Sequence, residues 1–248
     1  MMKWLHTMAS SAWFYRFAGK CLPWLIAVFT VLFLAGLYGG LVLAPADYQQ
    51  GDAFRIIYIH VPAAWMSLFI YIVMAVYAFI ALVWRIKLAE VLLISSAPIG
   101  AAFTFLALVT GSLWGKPMWG TWWSWDARLT SELLLLFLYW GVIGLYAAIE
   151  DKRTASRAVS ILTLIGVVNI PIIHYSVEWW NTLHQGSSIT LTDKPSMATE
   201  MLIPLLVMAT AFKLYYAISL LIRTRAELVA REPNSKWLKQ VIEENNHD

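Results

Sequence analysis

Residues 22–43 read LPWLIAVFTVLFLAGLYGGLVL, an apolar stretch without a single Asp, Glu, Lys or Arg. About 20 consecutive apolar residues allow an α-helix to cross the hydrocarbon core of a bilayer. No small-residue cleavage site follows this stretch, so we expect the first helix to be retained. Five similar stretches follow, and the six predicted spans are about 22–43, 61–84, 92–113, 131–149, 158–175 and 201–222. We therefore predict an all-α integral membrane protein, a six-transmembrane-helix bundle forming one domain over 1–222, with a charged tail over 223–248.

The composition supports a protein embedded in a lipid bilayer and excludes several other classes. Of the 248 residues, 60% are hydrophobic and 13% charged, whereas soluble domains are about 25% charged. Such a chain is too apolar to be disordered. Its net charge of +3 is too small to indicate nucleic acid as a partner. The single cysteine, Cys21, excludes an intramolecular disulfide and a Cys-x-x-Cys-His haem-attachment motif.

The positions of the basic residues predict which side of the membrane each loop faces. Six spans place both termini on one side, and thirteen of the 18 Lys and Arg residues fall in segments on that side. The opposite loops hold four, at Arg55, Lys116, Arg128 and Lys194. Because basic loops stay in the cytoplasm, we predict cytoplasmic termini. The three outer loops are then about 44–60, 114–130 and 176–200, and we expect function to reside there, since loops on a rigid scaffold tend to carry it.

Tryptophan is concentrated in these outer loops. Seven of the 14 tryptophans are predicted to lie there: Trp114, Trp119, Trp122, Trp123, Trp125, Trp179 and Trp180. An aromatic belt at the lipid headgroups explains one or two tryptophans at each helix end, but it explains the run WWSW at 122–125 poorly. Indole rings are flat, rigid and apolar with one polar N–H. The cluster therefore indicates a platform for a planar, hydrophobic ligand such as a macrocycle.

Three histidines, His60, His174 and His184, lie in the outer loops or at their membrane edge. A single histidine at a helix end is more often a hydrogen-bonded interfacial residue than a ligand, but three near one face make ligation more plausible. Neutral imidazole binds transition metals and haem iron. Since neither cysteines nor a tight carboxylate cluster accompany them, a cofactor with one or two axial histidines suits the pattern better than a zinc site.

Charged residues accompany the tryptophans. Arg55, Lys116 and Arg128 are candidates for pairing with carboxylates on a ligand, since arginine does so in a fixed fork. Asp126 directly follows Trp125. It either contributes to the site, pairs with Arg128, or caps the helix that follows.

Several segments resemble the CcmC family, the haem exporter proteins C of bacterial cytochrome c maturation. The most specific is WGTWWSWDARLT at 119–130, the tryptophan-rich signature of haem-handling proteins in this system. The others are APADYQQG at 44–51, RIIYIHVPAA at 55–64, GKPMWGTWW at 115–123 and HYSVEWWNTLHQG at 174–186. The short chain and six spans distinguish it from the larger relatives that share the tryptophan run.

The resemblance implies that the tryptophan-rich loop binds haem b at the periplasmic face of the bacterial inner membrane, with His60 and His184 as axial iron ligands. It implies delivery of haem to the chaperone CcmE, which becomes covalently loaded. It also implies the ATP-binding-cassette complex CcmA–CcmB and the small membrane protein CcmD as further partners. We expect a binding and delivery protein rather than an enzyme. GSLWGKP at 111–117 departs from the spacing of a phosphate-binding loop, so no ATPase motif is indicated.

Two other functions are compatible with these features. A haem transporter would line its route with polar or histidine side chains at membrane depth, and Lys213 is the one clearly charged residue well inside a predicted span. An electron-transfer cytochrome would place histidine pairs deep within spans, whereas both predicted ligands here lie toward one side.

Overall fold

The computed structural model describes residues 10–184, 186 and 194–245, and that part of the chain is predominantly helical. The helices are α1 Ser11–Tyr38, α2 Ile57–Trp84, α3 Lys87–Trp119, α4 Ala127–Ala148, α5 Lys152–Gly166, α6 Asn169–Trp179, α7 Thr199–Arg231 and α8 Lys236–Asn245. A π-helical turn over Gly39–Leu43 extends α1, and a 3₁₀ turn over Asp52–Ile56 leads into α2.

The prediction of six membrane spans is confirmed. Six helical segments are long and apolar enough to cross a bilayer. Helices α5 and α6 together form the fifth of these, with a break in the regular helix at Val167 and Val168. Pro171 explains the break, because proline has no N–H to donate to the carbonyl four residues earlier and its ring clashes there.

Most of the helices are longer than the predicted spans, because local capping rather than apolarity sets where they end. Helix α1 begins at Ser11, where the Ser10 hydroxyl accepts the Trp13 N–H at 3.3 Å. Helix α3 continues past 113 to Trp119 and ends at Gly120, whose φ of 75° is left-handed and whose N–H donates to the Lys116 carbonyl. Trp114 and Trp119 are therefore helical residues rather than members of a loop.

The bundle is built around α3, while α1 lies at its edge and exposes most of its apolar side chains. Close approach of α1 depends on two glycines. A Cβ at Gly36 would lie 2.6 Å from the Sδ of Met208 in α7, and a Cβ at Gly40 would lie 2.5 Å from the Tyr58 ring in α2. Small residues at such contacts allow helix backbones to pack tightly where lipid offers no hydrophobic driving force.

The helix ends nearest the two termini meet at one end of the bundle. The Ser11 hydroxyl donates to the Glu232 carboxylate at 2.6 Å, and Lys87 at the start of α3 pairs with the same carboxylate at 2.8 Å. Trp237 in α8 also donates its indole N–H to Glu232. His60 lies at the other end, near the start of α2.

Candidate ligand cavity between two histidines

A cavity of about 380 Å³ opens at the end of the bundle opposite the termini. This volume falls within the range of small-molecule and cofactor sites, about 300–1,000 Å³. Its polar lining includes His60, His174, His184, Arg128 and Glu132. Aromatic and apolar side chains, among them Phe54, Trp65, Trp114, Trp119, Met118 and Met197, form much of the rest. The cavity therefore combines an apolar wall with a small number of potential ligands and charges.

His60 is held by a hydrogen bond that determines its tautomer. Its Nδ1 lies 3.0 Å from the Thr110 hydroxyl of α3, and that hydroxyl lies 2.6 Å from the Leu106 carbonyl. The hydroxyl has one proton and gives it to Leu106, so it must accept a proton from Nδ1–H. Nε2 is then unprotonated, which is the state an imidazole needs to bind a metal.

The ring of His60 also depends on a glycine beside it. A Cβ at Gly111 would lie 3.0 Å from the Cε1 of His60. Gly111 follows Thr110 directly, so two successive residues of α3 position this imidazole, one by a hydrogen bond and one by leaving room.

Trp114 packs against His60, with ring centroids 5.6 Å apart and planes nearly perpendicular. Its other neighbour is Phe54, at 5.9 Å. The indole N–H donates to the Gln50 side chain at 2.9 Å. Because Gln50 and Phe54 lie in the connection between α1 and α2, that connection fixes this wall of the cavity.

His184 lies on the same cavity as His60 and beside Trp119, with ring centroids 6.3 Å apart. His174 also lines the cavity, but its side chain is exposed and its ring packs against Tyr175 at 4.7 Å. The structure therefore brings both predicted axial ligands to one cavity and adds a third imidazole at its rim.

Trp122, Trp123 and Trp125 lie outside the cavity lining, on the irregular loop over 120–126 between α3 and α4. Trp122 is 54% exposed and Trp125 is 77% exposed. Trp123 packs perpendicular to Trp125 at 5.4 Å, and its indole N–H is buried without a hydrogen-bond partner among the described residues. The loop thus presents indole rings outward, close to Trp119 and Arg128 of the cavity wall.

The two arginines predicted for the site differ in their surroundings. Arg128 lines the cavity and donates to the Ile173 carbonyl at 2.8 Å. Arg55 lies outside the lining, where it donates to the carbonyls of Gly40 and Ala44 and pairs with Asp52. Arg55 thus caps the end of the first span.

Asp126 takes the capping alternative and adds a second contact. Its carboxylate accepts the Leu129 N–H at 2.8 Å as the N-cap of α4. It also accepts the Leu183 N–H at 3.2 Å. Asp126 therefore links the start of α4 to the backbone next to His184.

Sequence reasoning missed Thr110 and Glu132. Glu132 in α4 is 9% exposed, lines the cavity and accepts the Ser67 hydroxyl of α2 at 2.7 Å. An isolated threonine or glutamate in an apolar span has no periodic signal. The spacing of Arg128 and Glu132, one helical turn apart, was the available hint that both face the same side.

Comparison with known proteins gives one consistent family. The family model described as Heme exporter protein C matches residues 4–239. The chain is 51% identical to Heme exporter protein C of Haemophilus influenzae over 243 residues, covering 98% of this chain and 99% of the relative. It is 54% identical to Heme exporter protein C of Escherichia coli K12 over 242 residues, with 98% of each chain covered. A relative in Marchantia polymorpha, named as a putative cytochrome c biosynthesis ccmC-like mitochondrial protein, is 47% identical over 189 residues, 76% of this chain and 80% of its own length.

Proposed function

This chain belongs to the heme exporter protein C family, and we propose that it binds haem in the cavity between His60 and His184 and presents it to the chaperone CcmE. The observation that carries the proposal is the contact between the Nδ1 of His60 and the Thr110 hydroxyl. Thr110 occupies Nδ1, so Nε2 is the nitrogen available to iron on a cavity that His184 also lines. Haem b, which has no covalent attachment to protein, suits a chain whose task is to pass its cargo on.

The cavity wall suits a planar apolar ring. Trp114 and Trp119 stand beside the two histidines, and the lining is mostly apolar. Arg128 is the guanidinium placed to pair with a propionate, because it lines the same cavity as both imidazoles. Arg55 is a weaker candidate than the sequence suggests, since its donors already bond to Gly40 and Ala44.

The exposed indoles favour delivery over storage. Trp122 and Trp125 leave more than half of their side chains uncovered beside the cavity. A site for permanent cofactor retention would enclose such rings, because burying them gains apolar stabilisation. We propose that these rings support the part of haem that remains outside the cavity and faces the histidine of CcmE.

The membrane orientation and partners follow from the same proposal. Basic residues concentrate at the end of the bundle that carries the termini, which supports our proposal that this end lies in the cytoplasm and that the histidine cavity faces the periplasm. The chain is then a multi-pass protein of the bacterial inner membrane. It assists the loading of CcmE without hydrolysing ATP, while the CcmA–CcmB complex releases the loaded chaperone and CcmD assists.

The absorption spectrum of haem in the detergent-purified protein tests this proposal. We expect His60→Ala and His184→Ala to lose the spectrum or shift it, because each removes one axial ligand. His174→Ala is the matched control on the same cavity rim and keeps the wild-type spectrum. If both ligand variants retain the wild-type spectrum and still load CcmE, the assignment of the two histidines is wrong.

A further inference from the structure

A second cavity, of about 840 Å³, lies at the opposite end of the bundle from the histidines. Its walls are the end of α2, the start of α3, the end of α4, the start of α5 and the end of α7. Six basic residues line it: Arg85, Lys87, Lys152, Arg153, Arg157 and Arg231. Two acidic residues, Glu90 and Glu227, accompany them. The cavity therefore has a large excess of positive charge.

The two carboxylates do not neutralise this excess, because one arginine engages both. Arg231, with 9% of its side chain exposed, pairs with Glu227 at 2.7 Å and with Glu90 at 3.6 Å. Tyr146 completes this cluster by donating to Glu227 at 2.8 Å. Lys87 is paired with Glu232, which lies outside the lining.

Four cationic residues of the lining, all of them exposed, have no carboxylate within ion-pair distance among the described residues, although Glu227 and Asp151 act electrostatically on two of them. Within residues 10–184, 186 and 194–245, Arg85, Lys152, Arg153 and Arg157 form no ion pair. Lys152 lies over the Tyr146 ring at 4.7 Å. Like charges gathered in one concavity repel each other, and an anionic ligand relieves that repulsion.

The backbone at Arg85 is a second, independent observation. Its φ is 54°, and among the described residues it is the one non-glycine residue in the left-handed region. That conformation ends α2, a position that glycine usually takes. Non-glycine residues held in this region tend to occur at ligand-binding sites, where the surrounding structure maintains the strain.

We propose that this basic cavity binds a phosphate group. A phosphate offers more acceptor oxygens than a carboxylate and matches the donor fork of arginine, of which the cavity has several. Trp84 indicates the source of the phosphate. It directly precedes Arg85 and is 61% exposed, and exposed tryptophan at a helix end marks the level of the lipid headgroups. An anionic phospholipid headgroup is thus the favoured ligand, and a soluble phosphate compound is the other source of the same chemistry.

The test compares two charge-matched double variants of the full-length chain in detergent. Arg153→Gln with Arg157→Gln removes two cationic side chains from the cavity. Lys20→Gln with Arg223→Gln removes two cationic side chains that are equally exposed at the same end of the bundle but lie outside the lining. Far-UV circular dichroism establishes that both variants fold. Binding of phosphatidylglycerol, phosphatidylcholine and inorganic phosphate is then followed by native mass spectrometry and by the thermal unfolding midpoint.

We expect phosphatidylglycerol to bind the wild type and the control variant with the same affinity. Its affinity for the cavity variant should be lower by a factor of about ten or more, because each basic residue near a membrane contributes roughly a fivefold factor to binding. Phosphatidylcholine binds all three weakly. A different result is that inorganic phosphate raises the unfolding midpoint of the wild type but not of the cavity variant, and that phosphatidylglycerol raises neither. The cavity is then confirmed as a phosphate site whose ligand is a soluble phosphate compound. Equal binding of phosphatidylglycerol to both double variants, with no phosphate effect, overturns the proposal. The readouts do not involve haem, so the result is independent of the function proposed above.

Discussion

The hydroxyl of Thr110 in α3 lies 3.0 Å from the Nδ1 of His60 in α2, and this contact determines which nitrogen of the ring is free. The threonine proton is already committed to the Leu106 carbonyl. The hydroxyl acts as an acceptor toward the imidazole, much as carbonyls and carboxylates do behind histidines that bind metals. Thr110 is therefore a positioning residue, and its role is separable from that of the ligand itself.

Replacing Thr110 with valine tests this relationship, because valine keeps the shape and removes the acceptor. We expect haem affinity to fall by about 10–100-fold, the usual cost of losing such a supporting contact. The Soret band is expected to shift in position or width as the ring loses its fixed orientation. Haem titration of the purified apoprotein, followed by its spectrum, measures both effects.

Thr104→Val is the matched control for that variant. Thr104 is buried on the same helix and donates to the Gly100 carbonyl at 2.8 Å, but it lies outside the cavity lining. The two variants lose the same kind of helix contact and should have similar thermal stability. Identical haem binding by both would show that Thr110 is a structural residue only.

A methyl group at Gly111 is expected to weaken haem binding by a different route. In Gly111→Ala the added Cβ would lie 3.0 Å from the Cε1 of His60, so the ring must move. Gly144→Ala in α4 is the control, because a Cβ there meets nothing within 4 Å. The control gains roughly 0.5–1 kcal/mol of helix stability from the substitution alone. We expect reduced haem affinity in Gly111→Ala only, measured by titration, and equal affinities would contradict the steric argument.

The sequence predicts the six spans because apolarity alone decides them, but it misplaces their ends. Ser10 caps the start of α1 by a hydrogen bond, and Gly120 ends α3 by its backbone conformation; neither effect depends on hydropathy. For the same reason Trp114 and Trp119 were expected in a loop and lie on α3. Their position on a helix gives them fixed orientations toward the histidines.

The candidate site was predictable only in part. Residues whose types are unusual in a membrane protein's loops, such as His60 and His184, could be selected from the sequence. Thr110 could not, because its importance arises from the rotation of α3 about its axis, and for Glu132 the one hint was its spacing from Arg128. Arg55 was selected for its charge, whereas the fold uses that charge to cap the first span.

Acid is expected to loosen the end of the bundle that carries the termini. Partial burial raises the pKa of Glu232, but hydrogen bonds from Lys87, Ser11 and Trp237 outweigh that effect and leave its pKa below the ordinary value. A carboxyl with a lowered pKa binds protons less readily in the folded state than in the unfolded one. Its stabilising contribution is therefore complete above the unfolded value of about 4.3 and is lost as the pH falls through the folded value.

Glu232→Gln removes this contribution. We expect the variant to have a lower thermal unfolding midpoint than the wild type near neutral pH, and the difference to shrink as the pH falls below about 4. Glu243→Gln on α8 is the control, because Glu243 is exposed. A difference between Glu232→Gln and the wild type that stays constant over this pH range would exclude the proposed linkage.

Asp126 makes two contacts, and a comparison with Asp151, the N-cap of α5, separates their effects. Its carboxylate caps α4 through the Leu129 N–H and also accepts the Leu183 N–H. Asp151 caps α5 through the Thr154 N–H at 2.8 Å in the same way, but at the other end of the bundle. Loss of either cap leaves backbone donors at a helix start unsatisfied. Both Asp126→Ala and Asp151→Ala should therefore lower the thermal unfolding midpoint.

Only Asp126→Ala is expected to affect haem, because only Asp126 restrains the backbone next to His184. We expect its haem affinity and the efficiency of CcmE loading to fall together, whereas Asp151→Ala binds haem as the wild type does. Asp126→Asn distinguishes a direct contact with haem from this restraint. The amide oxygen still accepts an N–H, so a restraint predicts substantial recovery of binding, whereas a role that needs the negative charge predicts none.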